Sequence, residues 1–159
     1  MVETRTATIA DAALIASHRR GMFAAIGGIE ESVLDEIGRA SEPWTERMIE
    51  AGKYLGWITE EDGRPVASAG MLVLDWPPHP LDPAGETRAY LLNVFVEPGY
   101  RRRGLARALL ELCLEEAGRR GIGVVSLHAS REARSLYETL GFQITNEMMR
   151  VGGSRSEPG

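Results

Sequence analysis

Arg101, Arg102, Arg103 and Arg107 stand around Gly104 in "VFVEPGYRRRGLARALL", where an apolar run ends and a helical run begins. A helix start offers amide N–H groups with no internal acceptor, and the aligned peptide dipoles add partial positive charge. A glycine there lets an anion approach the main chain closely. Guanidinium groups bring charge and planar donors suited to phosphate oxygens. These features specify a pyrophosphate cradle on a helix N-terminus; a solvated basic turn would use the same residues. The spacing is neither Gly-x4-Gly-Lys-Ser/Thr nor Gly-x-Gly-x-x-Gly. No magnesium-binding pattern accompanies the turn, which argues against an ATP enzyme.

Other chemistry-bearing residues are scattered. Cys113 lies inside the helical run "LARALLELCLEEAG" and reads as a core thiol rather than a nucleophile. His18, His79 and His128 make no zinc pattern with it, so no metal is expected. One cysteine forms no internal disulfide, which suits a reducing, cytoplasmic setting.

The turn must be held by a strand before it and a helix after it. "TRAYLLNVFV" is the longest β-like run, and its near-continuous apolar content predicts a central strand buried on both faces. Residues 104–120 carry the strongest helical pattern. Upstream, "TRTATIAD" reads as a strand and residues 10–25 as a helix, with Asp11 early in it and Gly27–Gly28 as its stop. Residues 29–51 read as two short helices divided near "SEP", Ser41 starting the second. "KYLGWIT" and "PVASAGMLVL", joined by "EEDGR", read as a hairpin, and the proline-dense "DWPPHPLDPAGE" as a long stiff loop. Downstream, "GVVSLHA" is a strand, residues 131–140 are a helix ended by Gly141, and "FQITNEMMRV" is a closing strand or hairpin. The order β, α, α, β, β, β, α, β, α, β predicts an α/β mixed sheet, antiparallel in its first half with a parallel central pair, and helices on both faces. Residues 1–151 read as a single domain and 152–159 as a disordered tail.

The chain has 159 residues, 43% hydrophobic and 26% charged, enough for an ordinary globular core. A net charge of −5 argues against nucleic-acid or membrane-surface partners. No apolar run reaches membrane-span length, and no secretory h-region opens the chain.

"RRRGLA" resembles the Arg/Gln-x-x-Gly-x-Gly/Ala signature of the GCN5-related N-acetyltransferase superfamily, with Arg101, Gly104 and Ala106 on its fixed positions. "LLNVFVEPGY" is similar to that superfamily's central strand and exit, and "SLYETLGF" to its later helix carrying a tyrosine and ending in Gly-Phe. The resemblance implies acetyl-CoA as co-substrate and a primary amine of a small molecule or peptide as acceptor. It implies a pyrophosphate held by the turn from Arg101 to Arg107, Leu105 included, and a pantetheine arm pairing with the main chain of Val94 and Val96. Tyr137 would be the general acid toward the CoA thiolate. Ser130 stands seven residues before it, where many relatives carry asparagine, and is equally a good helix N-cap. Many relatives place a carboxylate on the central strand; this chain has Leu92 there. His128, His79, Glu30, Glu31 and Glu147 are then the candidate bases. The missing carboxylate keeps open an alternative, a CoA-binding sensor without turnover. Homodimerisation is a further expectation from the resemblance.

Overall fold

The threonine-rich run at the N-terminus forms an edge strand, β1 (Val2–Thr6), in a computed structural model that describes residues 1–152. Two compact units divide the chain, Met1–His128 and a second that starts at Ala129. In the first unit a single 3-10 turn (Ile9–Asp11) leads into α1 (Ala12–Ile26) and α2 (Glu31–Glu50). Next come β2 (Tyr54–Glu61), β3 (Arg64–Asp75), β4 (Thr87–Val96), a 3-10 turn at Pro98–Tyr100, α3 (Leu105–Arg119) and β5 (Val125–Leu127). The second unit holds α4 (Arg134–Thr139).

The strands lie in chain order, β1 to β5, with antiparallel pairing up to β4 and a parallel β4–β5 pair. This is the mixed sheet that the element order implies. Helices cover both of its faces. On one, His18 of α1 bonds the Ser68 hydroxyl of β3 at 2.6 Å and stacks near Phe95 of β4, while Trp44 of α2 meets Tyr54 of β2 edge-on. On the other, Ala67, Ala69 and Met71 of β3 are fully covered, and α3 packs over β2, β3 and β4. The α3 core stripe is Leu109, Leu110, Cys113 and Ala117, a helical repeat. Burial pushes the Cys113 thiol up to about 12, so it stays protonated and inert at neutral pH. Gly70 is required by close approach: the Tyr54 ring lies against its main chain, and a Cβ there would sit 2.1 Å from the phenol oxygen.

Four expectations are corrected. Residues 31–50 form one helix with Pro43 inside it, not two helices divided near "SEP". An interior proline costs a helix about 3 kcal/mol, and here a continuous buried stripe of Leu34, Ser41 and Thr45 outweighs that cost. Ser41 is therefore an interior residue whose carbonyl accepts from the Thr45 hydroxyl at 2.7 Å. Second, β4 is not buried on both faces: Ala89, Leu91 and Asn93 are buried while Tyr90, Leu92 and Val94 are partly exposed, because the helices leave part of the strand's surface uncovered. Third, "FQITNEMMRV" forms no strand, and Ile144 and Met148 are 74% and 93% exposed. A strand needs a ladder partner, and among the described residues the sheet ends at β5, so the parallel pair sits at the sheet margin. Fourth, the helix expected over 131–140 shortens to Arg134–Thr139 after a turn at 131–133. The tail expected over 152–159 lies, from residue 153 on, outside the described residues.

The buried His18 carries a pH prediction. Burial favours the neutral imidazole and pulls its pKa below the usual 6.5. The unfolded chain therefore takes up this proton first as pH falls. Stability from His18 is fully present above about pH 6.5 and declines below it, by up to about 1.4 kcal/mol per pH unit, until the folded pKa is reached. Asp11, held below the carboxylate range by the bidentate Arg5 guanidinium, acts in a separate, more acidic window. Urea unfolding between about pH 7.5 and about pH 5 should show a shallower decline in His18→Asn than in the parent. Parallel slopes would show that His18 takes up its proton equally well in both states.

Candidate functional site

The β3–β4 ladder skips a residue. Ser68 pairs with Phe95 and Gly70 with Leu92, so Asn93 and Val94 together oppose Ala69. This is a β-bulge, and Asn93 takes a left-handed φ of 55° that asparagine tolerates better than most residues. Its buried side chain is tied twice: Nδ2 donates to the Tyr54 hydroxyl at 3.2 Å, and Oδ1 accepts from Arg19 at 2.8 Å.

The bulge re-aims the main chain. Before it, Ala89 N–H donates toward the β5 side, to Val124; after it, Glu97 N–H donates to Val66 on the β3 side. Alternation along the strand therefore turns the peptide groups of Val94 and Val96 away from β3. Among the described residues no strand pairs with β4 there, since the parallel ladder stops at Leu91. The result is an open strand edge. Arg101 already reaches it, its Nε donating to the Val96 carbonyl at 3.2 Å.

That edge leads through the 3-10 turn to Gly104, the N-cap of α3, at φ 76°. Arg102, at φ 63°, is also left-handed, a strained state for arginine. The first bond of the helix runs from Ala108 N–H to the Gly104 carbonyl, leaving the amides of Leu105 and Ala106 without an acceptor among the described residues. Space above Gly104 is open, with no atom within 4 Å of where a Cβ would stand. Open amides, positive dipole end and bare glycine are the elements of an anion cradle. The arginines around it differ in their engagements. Arg103 pairs with Glu61 at 3.6 Å and stacks over Tyr100, and Arg107 pairs with Glu111 at 3.1 Å. Arg102 is exposed.

In the second unit, the Ser130 hydroxyl accepts from Ala133 N–H at 3.3 Å and so closes the turn ahead of α4. Tyr137 is buried within α4 and meets Phe142 edge-on at 5.8 Å. Gly141, at φ 91°, follows the helix as expected. The candidate bases are dispersed. His128 bonds the Tyr90 hydroxyl through Nδ1, and His79 accepts from Leu81 N–H in the β3–β4 loop. Glu31 pairs with Arg20 at 2.6 Å, Glu30 is the residue before α2, and Glu147 is exposed. Leu92 occupies the strand position as read. Sequence reasoning missed the Arg19–Asn93–Tyr54 connection; the available signal was a polar Asn93 inside an otherwise apolar run.

A model of the acetyltransferase (GNAT) family matches residues 27–142. The chain belongs to the GNAT acetyltransferase family. It is 34% identical over 107 residues to the [Ribosomal protein bS18]-alanine N-acetyltransferase of Escherichia coli strain K12, a match covering 63% of this chain and 64% of that relative. A GCN5-related N-acetyltransferase structure from Ralstonia eutropha JMP134 superposes with a TM-score of 0.90 at 35% identity, covering 95% of this chain and 98% of that one. A predicted acetyltransferase from Clostridium acetobutylicum, solved with acetyl-CoA, gives a TM-score of 0.84 at 27% identity over 96% of each chain. In this GNAT chain, no group of three or more His, Cys, Asp or Glu among the described residues is placed to hold a metal. No described helix is long and apolar enough to cross a membrane.

Proposed function

We propose that this GNAT protein moves an acetyl group from acetyl-CoA directly to a primary amine of a small molecule or peptide. The observation that carries the reading is the open edge of β4 running into the Gly104 cradle. The site fits a CoA ester on its own terms: main-chain groups of Val94 and Val96 face outward for an amide-bearing arm, and the Leu105 and Ala106 amides await an anion. Arg101, Arg102, Arg103 and Arg107 add positive charge around the diphosphate, and Ser130 is a further candidate donor to the arm. The acetyl-CoA relative from Clostridium supports the donor, and the Escherichia coli relative supports an amine acceptor.

Acetyl-CoA supplies an activated acyl carbon. The neutral amine nitrogen bonds that carbon and the carbon–sulfur bond breaks, its electron pair leaving on sulfur. The main-chain N–H of Val94, turned outward by the bulge, polarises the carbonyl oxygen. Tyr137 hands its phenolic proton to the departing sulfur and recovers one from solvent, while the amine proton leaves to water. With Leu92 on the strand, that last proton has no carboxylate on β4 to pass through.

Leu92 also favours a second reading, a CoA sensor without turnover. The two part on catalysis, since both predict binding. Acetyl-CoA at 100 times its Kd should stabilise the fold by about 2.7 kcal/mol, raising Tm by about 5–11 °C for a chain of this size, with ATP giving no comparable shift. No shift at millimolar acetyl-CoA would remove both readings. A shift with no acetylation across an amine panel would leave the sensor.

A further inference from the structure

Arg19 leaves α1 beside the β4 bulge, half-buried, and no carboxylate among the described residues lies within ion-pair distance of it. Its situation contrasts with two other arginines of the first unit. Arg20, the next residue, pairs with both Glu31 and Asp35, and Arg5 pairs with Asp11 and Glu60. One Arg19 N–H serves the Asn93 side chain, and the guanidinium lies over the Phe23 ring at 5.0 Å. Five N–H donors in a fixed fork are available on a guanidinium, so most of its capacity is unclaimed. Burial pulls its pKa down, as expected of a cation that has lost water without gaining a counter-ion. Such a charge is costly unless something arrives to pair with it.

The position points to what arrives. Arg19 is one hydrogen bond from the bulge residue whose neighbour, Val94, turns its main chain to the open edge. An amine approaching that edge from the α1 side brings its adjacent atoms against the guanidinium. We infer that Arg19 binds a carboxylate carried by the acceptor itself, so that the substrate is a small amine with its own carboxylate a few atoms away, as in a free amino acid. This rests on the amine-acetylation reading above. A lone guanidinium matches a monoanion in the bidentate manner. A phosphate ester would call for further cations, and Arg20 is committed to α2. A peptide N-terminus carries an amide where this site wants a charge.

The test compares matched pairs. The standard amino acids and β-alanine are each assayed against their carboxamides, with O-phosphoethanolamine and an alanine-initiated tripeptide amide beside them, in the parent, Arg19→Gln and Arg19→Lys. The best acid should exceed its carboxamide at least tenfold in kcat/KM, because a site built around a charged partner rejects the analogue lacking it. In Arg19→Gln that ratio should fall to about one through KM, with Arg19→Lys between. Circular dichroism and the acetyl-CoA thermal shift monitor folding in both variants. Equal use of acids and carboxamides by the parent would overturn the inference, as would preference for O-phosphoethanolamine or the tripeptide amide, or acid preference surviving in Arg19→Gln. Acetyl-CoA stabilisation without acetylation of any carboxylate-bearing amine sinks the Arg19 inference alone; absence of that stabilisation sinks the acetyl-transfer reading beneath it.

Discussion

Tyr137→Phe should lower kcat for amine acetylation about a hundredfold while leaving acetyl-CoA affinity within about twofold, the low end of what a positioned general acid contributes. The departing group is an alkyl thiolate of pKa near 8.5, and a phenol near 10 can hydrogen-bond it as charge develops and then protonate it. The reference penalty is modest because a thiolate is a tolerable leaving group at neutral pH, unlike an alkoxide. Phenylalanine keeps the ring that packs edge-on against Phe142, so α4 is retained and the loss reports the hydroxyl. The measurement is steady-state acetylation across pH, beside calorimetric acetyl-CoA binding. Equal loss of kcat and kcat/KM marks an interaction made in the transition state. An unchanged kcat would show that the thiolate leaves unaided or with another acid, and would return Tyr137 to a packing role.

Gly104→Asp should abolish acetyl-CoA stabilisation at concentrations that saturate the parent, an affinity loss of at least a hundredfold, about 2.7 kcal/mol. Two effects add. A carboxylate would stand where the α3 amides and dipole favour an anion, satisfying them internally and repelling the diphosphate. A side chain at φ 76° is also strained, by roughly 1–2 kcal/mol for an L-residue. Gly104→Ala removes the charge effect: it carries the strain and places a single methyl group, without a carboxylate, in the space above the turn. The alanine variant should lose some stability yet keep binding within about tenfold. Thermal unfolding with and without acetyl-CoA reads both quantities. If the aspartate variant binds acetyl-CoA as the parent does, the diphosphate is held elsewhere.

The sequence by itself determined those parts of the molecule whose causes are local. The Gly104 turn was legible because a helix start, a bare glycine and clustered arginines lie within a few residues, and the chain needs nothing distant to make them. The α3 stripe of Leu109, Leu110, Cys113 and Ala117 follows from helical period, and the β2–β3 hairpin from two β-rich runs around Asp62–Gly63. Strand and helix order then implied the mixed sheet. What depended on register or on packing between distant segments was decided only in three dimensions. The bulge at Asn93 arises because β3 and β4 slip by one residue, and pattern alone does not record a slip. Arg19 and Asn93 are 74 residues apart in the chain and meet only when α1 lies on β4. Pro43 stays inside α2 because tertiary burial of one helix face exceeds a local penalty that sequence reading took as decisive. The apolar "FQITNEMMRV" run met no partner edge, and hydrophobic β-propensity without a ladder makes no strand. Local chemistry announces a cradle; the open edge beside it and the charge facing it are consequences of how strands and helices are brought together.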